Sequence, residues 1–341
     1  MKLRGFLILA GLPLLSAGAQ TTVGKYAGEF LALGVGGRAL GMGSASVALA
    51  ADVTAGYWNP AGLSLITYPQ LMLMHDEQFG SLVNYDYGAV AIPMGSSTSL
   101  GLSVIRLGVD EIPDTRNAGV DAAGNPVTDL DRFSRIDPDR VTYFNAADWA
   151  FLFTYSRAVS PDFSYGANVK FIRRELAEYS ATGVGFDVGV RYRAWETVVV
   201  GANVQDITTT FLAWSTGRNE LISPTLKLGG AATVEALGGA LTPALDMDVR
   251  FENRQYASTF NFGPVSADLR AGLEYQFRDL FALRLGYSDV KQITLGAGIH
   301  LPRLNIDYSF AKFDGQYDLG NTHRISLMFT LESDRFRRSE E

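Results

Sequence analysis

Gly183-Val184-Gly185-Phe186-Asp187-Val188-Gly189-Val190-Arg191-Tyr192-Arg193 is the stretch on which the fold turns. In an extended chain Val184, Phe186, Val188, Val190 and Tyr192 fall on one face. Gly183, Gly185, Asp187, Gly189, Arg191 and Arg193 fall on the other. Side chains on a strand alternate between two faces, so this segment is apolar on one and polar or tiny on the other. The period returns further along. Phe281, Leu283, Leu285 and Tyr287 alternate with Ala282, Arg284, Gly286 and Ser288, and Leu269, Ala271 and Leu273 oppose Asp268, Arg270 and Glu274.

Working outward, fourteen segments of this kind can be read, from 68–77 and 82–92 through 96–107, 196–205 and 222–235 to 302–312 and 321–331. Soluble strands cluster near ~5–6 residues and tilted membrane strands need ~9–11. Most of these segments reach the second length. An even number is usual in bacterial single-chain barrels. Tight connections at 93–96, 160–162, 278–280 and 301–303 contrast with long ones at 108–143, 206–221 and 254–263. Short turns at one end and long loops at the other are the outer-membrane pattern. Within lipid every backbone group must be paired, which requires a closed sheet. The expected fold is therefore all-β, a transmembrane antiparallel β-barrel of about 14 strands over 68–331. It would cross the outer membrane of a Gram-negative-type bacterium many times, with outer-membrane lipids against its apolar face. Tyr155, Tyr165, Tyr192, Trp195 and Tyr275, near strand ends, would form aromatic girdles. Asp187, Arg191, Asp246, Asp248, Arg250, Asp268, Arg270 and Glu274 would line a wet lumen.

The start of the chain reads as an export signal over 1–19. Lys2 and Arg4 precede an apolar run from Phe6 to Leu15, and Ala17-Gly18-Ala19 is a small-residue cleavage pattern. That run, about ten residues, is too short to span a bilayer as a helix, which needs ~20. With the signal removed, 27 basic residues face 36 acidic ones, a net charge of about −9. That balance argues against nucleic acid as a partner, which calls for a basic footprint. The chain has no cysteine, so disulfides, thiolate metal sites and thiol nucleophiles are excluded.

Residues 20–67 break the alternation. They carry Gly36-Gly37-Arg38-Ala39-Leu40-Gly41-Met42-Gly43 and then Tyr57-Trp58-Asn59-Pro60-Ala61-Gly62-Leu63. Small residues on this scale let a segment pack against other backbone, as a plug inside a barrel wall would. Asp52 is placed to cap a helical turn, and Pro60 pushes Asn59 out of the helical region. Gly34-x-Gly36-x-x-Ala39 mimics a dinucleotide fingerprint but lacks the βαβ unit that fingerprint needs. The two motifs together resemble the N-terminal signature of the FadL superfamily of outer-membrane proteins, in the form found in its PorV/PorQ branch. The resemblance implies a fourteen-stranded barrel with its N-terminal segment in the lumen. By resemblance Gly36, Arg38, Gly41, Gly43, Trp58, Asn59, Pro60, Ala61 and Gly62 are plug or hatch residues. Residues 332–341 form a charged tail, so a C-terminal assembly signal would lie in the last strand, around Ile325, Leu327 and Phe329.

No catalytic, cofactor or metal residues are expected. His75, His300 and His323 stand in no motif with a nucleophilic serine, and His300 and His323 read as wet-face residues. The acidic stretch 109–140 has no calcium-ligand spacing and reads as a solvated loop, open also to a partner. Two functions follow from the resemblance. One is a non-enzymatic part of type IX-like protein secretion, binding exported proteins or secretion-machinery subunits. The other is a FadL-like passive conduit for a hydrophobic small-molecule ligand, against which the mixed charge of the lumen weighs.

Overall fold

The computed structural model describes residues 21–23, 27–78, 82–313 and 321–339. The signal reading over 1–19 lies outside these. Fourteen antiparallel strands close into a ring. They are β1 Gln70–Gln78, β2 Val83–Met94, β3 Thr98–Asp114, β4 Thr142–Ala158, β5 Phe163–Leu176, β6 Tyr179–Arg193 and β7 Val198–Gln205. Then come β8 Thr225–Ala232, β9 Gly239–Arg250, β10 Val265–Phe277, β11 Phe281–Tyr287, β12 Gln292–Leu301, β13 Leu304–Phe313 and β14 Thr322–Thr330. Each pairs with the next, and β14 returns to β1, with Gln70 opposite Thr330 and Glu77 opposite His323. Closure leaves no edge strand among the fourteen.

The faces follow the alternation. In β6 Val184, Phe186, Val188 and Val190 are exposed outward while Asp187 is 1% exposed inside. Leu283, Leu285 and Leu295 likewise face out. Such an apolar outer wall is stable only in hydrocarbon. Among the described residues no helix is long and apolar enough to cross a membrane, and the strands do the crossing. Tyr155, Tyr165, Tyr192 and Trp195 are exposed at the end where the tight turns lie. Tyr275 is at that end too, its hydroxyl donating to the Leu237 carbonyl at 2.9 Å.

Several expectations need correction. The strand read as 96–107 runs on to Asp114 across an irregularity between Val109 and Ile112, where Glu111 has φ +56°. The Asp110-Glu111 pair interrupts the alternation there, so a strand was read as a loop. The long-loop end is not uniformly long, since Ala177 and Glu178 alone join β5 to β6. The stretch 206–221 holds a hairpin, with Thr210–Trp214 paired to Asn219–Ile222. Thr210–Trp214 also continues alongside β6, three residues out of step with β7, so 206–209 bulge from the wall. His323 stands on the outer face, not the wet one, beside Tyr308 at 2.7 Å. It shares a face with Ile325, which is 53% exposed to the lipid side.

Residues 27–66 pack against the inward faces of the strands and are mostly buried, with Glu29 exposed. They form two short helices, α1 Gly37–Gly41 and α2 Ala55–Trp58, and a 3-10 turn at Pro60–Leu65. Glycines punctuate the segment, with φ +82° at Gly36 and +63° at Gly43, a backbone region that a Cβ disfavours. Tyr57, Trp58 and Leu63 pack with Met72, Met74, Tyr85, Tyr87, Ile105 and Leu152 of the wall in one apolar cluster. Burying each such side chain contributes roughly 1.5–3 kcal/mol.

Candidate functional site in the barrel interior

The interior is built where this inner segment meets the wall. Helix α2 is one turn long, so its last carbonyls have no intrahelical donors. The wall supplies them. Asn168 Nδ2 donates to Gly56 O at 2.8 Å, Gln205 Nε2 to Tyr57 O at 3.3 Å, and Asn203 Nδ2 to Trp58 O at 3.0 Å. Trp58 Nε1 donates back to Val35 O at 3.0 Å. Tyr57 donates to Leu31 O and accepts from Gly34 N, and burial pushes its hydroxyl pKa up. Sequence reading did not single out Asn168, Asn203 or Gln205. Their signal was parity, since each sits on the inward face of its strand.

Asn59 has φ −160°, extended as the following proline requires. Its amide donates to Val47 O at 2.9 Å and Val190 O at 3.0 Å, and its carbonyl accepts from Ala61 N at 3.2 Å. Asp52 Oδ1 accepts from Thr54 N at 2.8 Å, just ahead of α2. Pro60 and Ala61 lie against Gly166 and Gly189 of the wall so closely that a Cβ on Gly166 would come 2.5 Å from Pro60 backbone. On the opposite wall Gly41 and Gly43 meet Gly296, Gly286 and Tyr287, and a Cβ on Gly43 would come 2.5 Å from Tyr287 N. Thr294 Oγ1 joins both, donating to Gly41 O and accepting from Gly43 N, each at 3.0 Å. Gly62 packs inside the segment itself, against Ala50 O. Gly36 closes the first turn of α1, its carbonyl accepting from Leu40 N at 3.0 Å.

The eight charged residues expected in the lumen all project inward. Glu274 takes two hydrogen bonds from Arg38, at 3.0 and 2.7 Å, and one from Arg284 at 2.6 Å. Glu274 in turn raises the Arg38 pKa further. Asp246 accepts from Ser46 N at 2.6 Å and Val47 N at 2.8 Å, and Arg191 Nε donates to Ala48 O at 3.1 Å. Arg250 faces Glu29 at 3.7 Å, too far for a hydrogen bond. These four therefore reach the inner segment. Of the other four, Asp187, Asp248 and Arg270 tie wall to wall, and Asp268 ties the wall to the loop after β9. Asp187 pairs with Lys170 at 3.2 Å, and Asp248 with Lys227 at 3.3 Å and Arg270 at 2.9 Å. Asp268 pairs with Arg254. Lys170, Lys227, Asp307 and Arg324 also belong to the charged lining, as do Asp76 beside Arg324, Asp206 beside Lys170, and Arg284, which the alternation had put on the polar face.

The interior is divided rather than open. Loop-side cavities of about 70 and 170 Å³ flank residues 28–33, and one of about 250 Å³ lies toward the tight turns, beside Arg38, Asp52, His300 and Asp307. Ligand pockets usually run to ~300–1,000 Å³ with largely apolar walls. These are smaller and more polar. Among the described residues no group of three or more His, Asp or Glu is arranged to hold a metal ion. In the acidic loop Asp121 is occupied by the backbone of Ala123 and Asn125, and Asp114 by Arg116.

No protein-family model matches the chain, and no curated protein matches it by sequence. Solved structures do. The chain is similar to the Ralstonia pickettii toluene transporter TbuX, with a TM-score of 0.59 at 13% identity over 88% of this chain and 99% of that one. The Pseudomonas putida toluene transporter TodX gives 0.58 at 10% identity, covering 88% and 99%. A Pseudomonas aeruginosa FadL homologue gives 0.56 at 12%, covering 86% and 98%. Its fold is that of the FadL-type outer-membrane barrels. At such identities the likeness is one of fold, and it agrees with the lipid-facing belt in making this a multi-pass outer-membrane protein.

Proposed function

We propose that this chain is a passive outer-membrane conduit for small hydrophobic molecules, with residues 20–67 as its plug. What supports this reading is a ring similar in fold to two toluene transporters, with residues 27–66 packed against the inward faces of its strands. Gly36, Arg38, Gly41, Gly43, Trp58, Asn59, Pro60, Ala61 and Gly62 hold that segment to itself and to the wall. The cavities on both sides of it supply steps on which a permeant pauses. The charged lining sets a limit on what passes, since ion pairs this close are costly to part. Small, compact apolar molecules fit that limit better than long chains. The test is uptake of labelled toluene by a double-membraned host that lacks its own channel, with and without this protein. Faster uptake at low concentration supports the conduit, and equal rates reject it.

A second reading, a secretion component that binds exported proteins or secretion-machinery subunits, draws on the PorV/PorQ resemblance. The feature that favours it is the folded loop between β3 and β4, which exposes Phe133 and Ile136, with Tyr143 exposed at the start of β4. Affinity purification from mild detergent with mass spectrometry separates the two. Secretion subunits in the eluate favour the second, and an apolar small molecule without protein partners favours the first.

A further inference from the structure

The last described residues do not simply trail away. Residues 331–339 turn back across the tight-turn end of the barrel. Leu331 N donates to Pro69 O at 2.9 Å, and Arg338 N donates to Thr67 O at 2.8 Å. Every residue of this stretch is exposed except Arg338, which is half-buried. Its guanidinium makes three further hydrogen bonds: Nε to Ile66 O at 2.9 Å, one terminal nitrogen to Thr98 O at 3.1 Å, and the other to Ser99 Oγ at 2.6 Å. Ile66 is the cap of the 3-10 turn that ends the inner segment, and Thr98 and Ser99 open β3. Ser99 is wholly buried and faces the lumen.

A single planar fork thus joins three parts of the chain that are distant in sequence. Arginine suits this role because its five donors are fixed in one plane and its charge persists at any working pH. The foot of the segment is also held by Ser156, whose Oγ donates to Ala61 O at 2.9 Å and accepts from Ser64 N at 3.0 Å, and by the burial of Leu63 and Ile66, while Ile66 N reaches Leu63 O only at 3.4 Å.

We propose that residues 331–339 are a latch across the tight-turn mouth, with Arg338 as the positioning residue that pins the foot of the inner segment, residues 62–67, to β3. With the latch in place the foot is fixed. With it released, the foot loosens while the helices above stay seated on the glycines of the wall. The proposal rests on these contacts and not on what the barrel conducts, so a protein that carries no hydrocarbon would behave the same.

The test is hydrogen–deuterium exchange on purified full-length barrel in detergent, comparing the parent with Arg338→Ala, Arg338→Lys and a chain stopped after Leu331. Heat-modifiable migration on gels first establishes that each is folded. In Arg338→Ala and the shortened chain, peptides covering 62–67 should exchange about tenfold faster, the effect of losing roughly one charged hydrogen bond's net contribution. Peptides covering 36–48 should be unchanged, and Arg338→Lys should fall between. Parental exchange at 62–67 in both Arg338→Ala and the shortened chain would overturn the latch. So would acceleration spread evenly over 27–67, which would mean general loosening.

Discussion

Asp289 shows how much a single side chain can report about the interior. It sits between β11 and β12, where burial pushes its carboxyl pKa up, and Arg270, at 2.9 Å, with Lys227 and Arg250 more than reverses this, to about 2. An unfolded aspartate titrates near ~3.9, so the folded value is the lower one. Its contribution to stability is therefore present above about pH 4 and lost as pH falls toward about 2. In acid titrations followed by near-ultraviolet circular dichroism, Asp289→Asn should show a shallower loss of structure over that window. It should also be less stable than the parent at pH 7. An unchanged acid limb would mean the pair is not formed. Gly189 tests packing. A Cβ there would come 2.2 Å from Asn59 Oδ1 and 2.9 Å from Pro60 Cδ. Gly189→Ala should cost about 1–3 kcal/mol, read as a lower midpoint in detergent melts. At this scale the sequence was legible where the alternation was clean. Asp187, Asp246 and Glu274 could be assigned a face from their neighbours alone. Which partner each one meets could not, because pairs such as Arg38 and Glu274, or Asp246 and the amides of Ser46 and Val47, come together only when the ring closes around the inner segment.

Among the elements, α2 depends on wall side chains for its last three carbonyls. Asn59, which follows it, is fully buried, and its side chain makes three bonds of its own, to Val47 O, Val190 O and Ala61 N. Asn59→Ala should remove about 1–3 kcal/mol and loosen α2 ahead of the wall, visible as faster exchange in 55–61 before any change in β5 or β6. Equal exchange would mean the contacts from Asn168, Asn203 and Gln205 suffice. The strand β3 and the hairpin at Thr210–Trp214 mark where reading by period runs out. A strand that continues past Asp110-Glu111 loses its apolar face because it has left the hydrocarbon, so the signal fades while the pairing does not. Likewise the bulge at 206–209 shifts the register and hides a paired strand inside an apparent loop. Helices α1 and α2 are too short to carry a 3.6-residue pattern, and only their glycines and the Asn59-Pro60 pair showed in advance.

For the whole molecule the decisive quantity is the belt. Leu285 lies opposite Leu273 and Leu295 on the outer face and is 50% exposed. Leu285→Arg should destabilise the barrel by about 2–4 kcal/mol if that position lies near the bilayer midplane, and by about 0–1 near an interface. Folding titrations in lipid vesicles measure this, and the gradient along β11 would locate the membrane. Fourteen strands and a closed ring were readable from length and alternation because hydrocarbon imposes both on every strand at once. What the ring encloses was legible only as an interruption. The inner segment also has a direction. Thr21–Val23 pairs in parallel with Asn219–Leu221 at the loop end, while Thr67 and Pro69 meet the tail at the tight-turn end. The chain is thus strung lengthwise through its own ring, like a cord through a bead. With glycine-tight contacts on both sides, there is no room to draw that cord through once the ring has shut. The wall is then expected to assemble around the cord, so that whichever seam between strands shuts last closes the ring over a segment already seated.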